Sequence, residues 1–389
     1  MTSAAPPVPP RPDDWTKPVT SPSQTYSARP LSLEHDREVL LRLWRENMSD
    51  PRIGDVTAER FRWLYETNPN GPARTWLGLA DGGRVIGCGS LLPRRMSVAG
   101  QQLQAGILSD FTVDRDHRVL GPAMVLQRRI LSDCREAGFD LVFGWPNARA
   151  IGVMKRIGYG TVGIAHSWIK PLRTGARLAP LIAERYSKYL PSWLTPERVA
   201  RMSAPLLDRA LAGRDLLLRA NDLARTRVDL VDSVDDRVDL LWARAKNQLI
   251  LGERNATFLD WRYSRFTTER YRYALLSDRA SDQLLGYLVF TVRGDNALIL
   301  DLFVDDIDRS MAPLVLGLTA ELRAQSLGSL SLTYLGTPRF SAKLRSLGFF
   351  ERGGDRPVIM WTTPGMPDDL RALLSNSANW FMLDGDLDI

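Results

Sequence analysis

Helical and strand-like hydrophobic rhythms alternate through two long stretches of the chain, residues 30–170 and 226–362, which are separated by a segment of different character. In the first stretch Ile107-Leu108-Ser109-Asp110-Phe111-Thr112-Val113 predicts a strand, and an amphipathic helix follows to about Glu136. Leu141-Val142-Phe143-Gly144 predicts another strand. Asn147 is a good helix N-cap, and Gly158 suits the left-handed residue that ends that helix. Residues 171–225 are rich in Leu, Ala and Arg, with Pro191, Pro196 and Pro205 as breakers, and predict two or three linking helices. Residues 1–29 carry many Pro and Ser and few apolar anchors, which predicts a flexible tail. Residues 363–389 read as a C-terminal tail ending in acidic Asp384-Gly385-Asp386-Leu387-Asp388.

The two mixed stretches repeat each other's landmarks in the same order. Trp44, Trp63 and Tyr65 recur as Trp242, Trp261 and Tyr263, each 198 residues later. Asp110-Phe111-Thr112-Val113-Asp114 matches Asp301-Leu302-Phe303-Val304-Asp305 at an offset of 191, and Arg118 and Pro122 match Arg309 and Pro313 at the same offset. Gly158-Tyr159 matches Gly348-Phe349 at 190. Ordered matches at slowly drifting offsets predict a duplication with loops of unequal length.

Composition narrows the classes. The 389 residues make two or three domains, with 44% hydrophobic and 25% charged residues, as in ordinary globular proteins. Cys88 and Cys134 lack zinc-type or disulfide-scaffold spacing, and the N-terminus has no apolar leader, so a cytoplasmic, reduced setting is expected. No apolar run is long enough to span a membrane. The excess of 51 basic over 45 acidic residues is spread along the chain, without a basic block interleaved with aromatics, which argues against nucleic acid. Leu178, Leu181, Ile182, Tyr186, Tyr189, Leu190 and Trp193, interspersed with Arg and Lys, suit packing between domains and are compatible with peripheral membrane contact. Three scattered histidines give no metal-ligand spacing.

The candidate chemistry lies where the first strand meets its helix. A strand-to-helix turn exposes unpaired backbone N–H groups, and with the positive helix end these suit a pyrophosphate. In Arg118-Val119-Leu120-Gly121-Pro122-Ala123, Gly121 and Ala123 permit close approach, Pro122 costs no hydrogen bond in a first turn, and Arg118 adds a cation. This stretch resembles the GNAT acetyltransferase signature, Arg/Gln-x-x-Gly-x-Gly/Ala after a strand ending in Val. The Asn147–Tyr159 stretch resembles the family's following segment. The resemblance implies two tandem GNAT-like domains of α/β class (α+β mixed sheets) joined by the helical segment. It implies acetyl-CoA or another acyl-CoA held by Phe111, Thr112, Val113, Arg118, Val119, Leu120, Gly121, Pro122, Ala123 and Met124, with Asn147 on the pantetheine arm. One departure stands out: the family's usual acidic Tyr is Met154 here, which cannot donate a proton. The thiolate then leaves unassisted, or another group serves.

Acyl transfer to an amine needs a proton removed. Asp110, three residues before Val113, is the candidate base; a substrate hydroxyl or a local turn are its other roles, and its repeat partner Asp301 favours a structural one. His117 falls in the loop and reads as a surface or phosphate-side contact. In the second copy Gly121 and Ala123 become Ala312 and Leu314, Asn147 becomes Thr337, and Asp305, Asp306 and Asp308 crowd the turn, so that copy is degenerate. The expected activity is N-acyl, foremost N-acetyl, transfer to a small amine. The Trp-x-Tyr segments and acidic end resemble GNAT proteins associated with surface-polysaccharide biosynthesis, which implies a nucleotide-linked amino sugar. The alternatives are an acyl-CoA-binding scaffold and a tRNA-dependent Fem-type aminoacyltransferase.

Overall fold

The computed structural model describes residues 19–21, 24–47, 56–174, 180, 183–184, 195–246, 249–265 and 269–387. Its centre is one mixed sheet. The strands are β1 (Val19–Ser21), β2 (Gln24–Pro30), β3 (Arg74–Leu79), β4 (Val85–Val98), β5 (Gln101–Val113), β6 (Leu141–Gly144), β7 (Gly160–Pro171), β8 (Thr226–Val231), β9 (Leu251–Gly252), β10 (Arg272–Asp278), β11 (Leu284–Arg293), β12 (Asn296–Val304), β13 (Ser329–Gly336), β14 (Phe350–Thr362) and β15 (Phe381–Leu383). They run in the order β1-β2-β3-β4-β5-β6-β14-β7-β13-β12-β11-β10-β8, with β15 on β13 and β9 on β4.

That order reads the same from either edge. From β2 inwards the pairings are antiparallel to β5, parallel between β5 and β6, then antiparallel to β14. From β8 inwards they are antiparallel to β12, parallel between β12 and β13, then antiparallel to β7. The strand that ends the first stretch thus lies beside the second stretch, and the converse holds for β14. The two meet at the middle as an antiparallel pair. The sheet therefore runs unbroken across the boundary expected at residue 170.

Strand alternation feeds two cores. Trp76, Leu91 and Val142 face helices α3 (Leu120–Asp133) and α4 (Ile151–Arg156). Their neighbours Leu77, Leu92 and Phe143 join the larger core under α1 (Arg37–Asn47) and α2 (Thr57–Phe61). The chain continues through α5 (Pro196–Arg219), α6 (Arg237–Ala245), α7 (Ala256–Asp260), α8 (Met311–Ala324), α9 (Pro338–Ser346) and α10 (Asp368–Ser375). A widened, π-type turn follows α2 at Arg62–Glu66, and another follows α7 at Trp261–Arg265.

Three expectations are corrected. The tail reading of residues 1–29 fails from Gln24 onwards: β2 pairs with β3, and Tyr26 is buried against Ile86 and Val125; Met1 to Pro18 lie outside the described residues. Pro205 does not break a helix but sits inside α5. A mid-helix proline costs about 3 kcal/mol. The anchors that hold α5 are Thr195, whose hydroxyl caps it at Arg198 N, and Asp215, buried against Lys170 (2.9 Å) and Arg323 (2.8 Å). Leu178, Leu181, Ile182, Tyr186, Tyr189, Leu190 and Trp193 lie outside the described residues. Finally, the C-terminal stretch is no solvated tail: α10 and β15 are ordered, and Trp380 and Leu383 are fully buried.

Candidate functional site

The parallel pair β5–β6 holds only at Ala105–Ile107 against Leu141–Phe143. β6 ends at Gly144 while β5 runs on to Val113, so among the described residues Leu108–Val113 has no strand partner on that side. A bulge in β5 accompanies the divergence: register with β4 slips between Cys88 and Ser90, and Asp110 takes φ of 52°. A bulge bends a strand and strengthens its twist. Gly89 makes room for it, since a Cβ there would lie 2.9 Å from Ile130 Cδ1 and 3.4 Å from Phe111 Cδ2. The half-buried Phe111, Thr112 and Val113 thus present backbone donors and acceptors along an open strand edge, the kind of edge that accepts an amide-bearing chain.

The turn beyond this edge begins α3. Val119 is extended, with φ of −109° and ψ of 168°, and no side chain caps the helix. Its first N–H groups are therefore left for a ligand or solvent. Val119 and Leu120 are exposed, while Pro122 and Ala123 face inward, and Met124 packs partly on the α3–α4 core. The nearest atoms to a Cβ at Gly121 would be those of the Tyr26 ring, at 3.7 Å and 3.8 Å. Arg118 is exposed, and its Nε donates to Val113 O at 3.0 Å, which ties the loop to the strand end. Asn147 Oδ1 accepts from the N–H groups of Arg149 and Ala150, both at 3.0 Å, so it organises the turn before α4.

Other expected residues are placed differently. The Asp110 side chain has no exposure, and Arg60 Nη2 lies 2.5 Å from its carboxylate, itself 1% exposed and 5.4 Å above the Trp44 ring. Asp110 belongs to a core ion pair rather than to the open edge. Beside it, burial and the Asp110 charge push the Cys88 thiol well up. Met154 is buried in the core with Ile130 and Tyr159. His117 is buried, edge-on to Tyr26 at 6.0 Å, rather than a surface group.

The second stretch has the same divergence but not the same opening. β12 pairs with β13 only at Asn296–Leu298 against Ser329–Ser331. Farther along, β15 pairs with β13 at Tyr334–Gly336. The chain approaches so closely that a Cβ at Gly385 would lie 2.9 Å from Leu300 O and collide with Tyr263 Oη. The turn before α8 is stitched internally as well: Asp306 Oδ1 accepts from Asp308 N (2.8 Å) and Arg309 N (3.2 Å), and Ser310 Oγ donates to Asp305 (2.6 Å). Leu314 is fully buried and does not project into the turn.

A buried charge network joins these parts. Asp386 bridges Arg94 (3.0 Å) from β4 and Arg254 (2.5 Å), and Arg254 also holds Asp301 at 2.9 Å. Burial raises the Asp301 carboxyl; burial would also raise Asp386, but Arg254 and Arg94 outweigh it and hold that carboxyl low. Sequence reading missed Arg60, Arg94 and Arg254, and placed Asp386 in a tail. The available signal was a pair of adjacent arginines inside a largely apolar strand, where alternation turns one of them, Arg94, inward in Val85–Val98.

Residues 27–162 match the family model of an acetyltransferase (GNAT) domain. No curated protein matches the chain. Among solved structures the chain is similar to a probable N-acyltransferase from Enterococcus faecalis V583, with a TM-score of 0.59 and 8% identity over 87% of this chain and 72% of the other. Saccharomyces cerevisiae N-myristoyltransferase with bound myristoyl-CoA aligns with a TM-score of 0.52 and 13% identity over 96% and 93%. Eis1 from Mycobacterium abscessus aligns at 0.52 and 14% over 87% and 73%. At these identities the likeness is one of fold. The domain match and the shared mixed α/β fold support an acyltransferase.

Proposed function

We propose that the chain transfers an acyl group, foremost acetyl, from a CoA thioester to a small amine, and that only its first stretch holds the donor. The observation that carries this reading is the uncapped start of α3 beside the unpaired edge Leu108–Val113. The N–H groups at Leu120 and Gly121, with Arg118 near by, suit the pyrophosphate, and the backbone of Phe111–Val113 suits the pantetheine amides. Asn147 stays at the mouth of the divergence as a turn-former. The bound thioester would supply the acyl group. The second stretch is read as a degenerate copy, because β15 and the carboxylates of Asp305 and Asp306 take the corresponding places.

With Asp110 held by Arg60, proton removal from the amine is assigned to water rather than to that carboxylate. A thiol of ordinary pKa near 8.5 leaves without an acid at neutral pH, which fits the burial of Met154. The acceptor is read as an amino sugar, on a nucleotide or free. The test is thiol release with acetyl-CoA and longer acyl-CoAs over a panel of simple amines and nucleotide amino sugars. Turnover with at least one amine is expected. Binding of CoA without turnover on any acceptor would favour the scaffold reading, and release only with charged tRNA the Fem-type reading.

A further inference from the structure

A basin of about 640 Å³ lies on the sheet face of the second stretch, between β12, β13, β7 and β14. Its volume is in the range of about 300–1,000 Å³ usual for small-molecule sites. The floor is unusual for strands in the middle of a sheet. In β13 the even positions Leu330, Leu332 and Tyr334 are buried in the apolar core, whereas the odd ones, Ser329, Ser331 and Thr333, carry hydroxyls. Registered neighbours share a face, and Thr333 pairs with Ser167 of β7, which pairs with Arg352 of β14. One row of polar side chains therefore crosses three strands. Asn296 of β12 extends it, donating to Ser331 Oγ and accepting from Ser329 Oγ, each at 2.8 Å.

Charge is arranged above this floor. Arg293 is matched by Glu269 at 2.9 Å. Arg356 lies 3.5 Å from Asp384, and Arg352 lines the same basin. The basin thus carries the guanidinium groups of Arg352 and Arg356 and the carboxylate of Asp384. Burial raises the Asp384 carboxyl, although Arg356 opposes the shift. Ile169, Leu298 and Leu300 line the apolar remainder. Guanidinium groups bind phosphate oxygens in pairs, an acidic side chain and a hydroxyl row bind hydroxyls, and an apolar floor covers C–H faces.

We propose that this basin binds a phosphorylated sugar, with the phosphate on Arg352 and Arg356 and the sugar hydroxyls on Asp384, Ser331 and Asn296. The site is separate from the α3 turn, so it stands whether or not the chain transfers acyl groups. The test is calorimetric titration of the full chain, without acyl-CoA, at low salt, using glucose 6-phosphate, glucosamine 6-phosphate, inorganic phosphate and glucose. A sugar phosphate should bind at millimolar or lower concentration, more tightly than phosphate or glucose alone. Arg352→Ala, at an exposed position, should weaken it by about tenfold or more, and Ser331→Ala should weaken the sugar phosphate but not inorganic phosphate. No binding of either sugar phosphate overturns the proposal. So does unchanged affinity in Arg352→Ala. Equal affinity for inorganic phosphate and sugar phosphate would leave a bare anion site and overturn the sugar assignment.

Discussion

Trp63 and Trp261 stack with ring centroids 4.6 Å apart and planes 14° from parallel, and each indole N–H donates to the other residue's backbone carbonyl, at 2.8 Å and 3.0 Å. The contact is reciprocal, as at a two-fold interface, where residue i meets j and j meets i. Each tryptophan sits on its own π-type turn, so the local backbone repeats together with the side chain. This pair supports the reading of the chain as two copies related by an approximate two-fold axis. Trp63→Ala and Trp261→Ala should each cost about 3–5 kcal/mol in urea unfolding. Because either change alone already removes the ring stacking, the double variant should fall short of additivity by about 0.5–3 kcal/mol. Additive losses would mean that the contact carries no coupling.

Asp386→Ala leaves Arg94 and Arg254 buried without the carboxylate that joins them. Unpairing a buried ion typically costs about 3–5 kcal/mol. The expected readout is a marked fall in melting temperature, together with faster proteolysis of the C-terminal stretch. A wild-type melting curve would show that the segment contributes nothing to the fold.

Asp110→Asn separates a base from a structural anion. A core ion pair with Arg60 predicts a stability loss of about 3–5 kcal/mol. Any accompanying loss of turnover should be independent of pH in the temperature range where the variant stays folded. Recovery of activity at high pH, where the amine needs no base, would instead return Asp110 to the reaction.

Gly121→Leu should leave the melting temperature close to wild type, because the added Cβ meets only the Tyr26 ring at ordinary contact distance. The larger side chain covers the uncapped start of α3, so the affinity for CoA should fall beyond detection in the same titration that finds one site in the wild type. Undiminished binding would move the donor site away from this turn.

Asp384 gives a pH signature. Its folded-state pKa is raised by burial, so the folded state holds the proton more tightly than the unfolded chain, whose value is about 3.9. Its contribution to stability is therefore greatest below that value and declines as pH rises through the folded pKa. Asp384→Asn, which mimics the protonated form, should gain in melting temperature relative to wild type between acidic and neutral pH. A constant difference across that range would mean that Asp384 ionises as in the unfolded chain.

Local signals in the sequence were enough for the strand ending at Val113, the helix after it, the Asn147 turn and the order of repeated landmarks, because periodicity, glycine placement and capping act over a few residues. Trp63, Tyr65 and Trp76 lie in the core, as large aromatic side chains usually do. Local signals could not give the partner of a side chain. Asp110 next to an apolar strand reads equally well as a base or as a buried anion, and the choice depends on Arg60, fifty residues away in sequence and 2.5 Å away in space. The acidic end reads as solvated because nothing near it in sequence neutralises Asp386; Arg94 is 292 positions earlier. The place of β14 between β6 and β7 was likewise open, since an interior strand has the same alternation whichever neighbours it joins. Local rhythm determined which elements form. Pairing between distant segments, where burial makes every charge find a partner, decided which of them face the site.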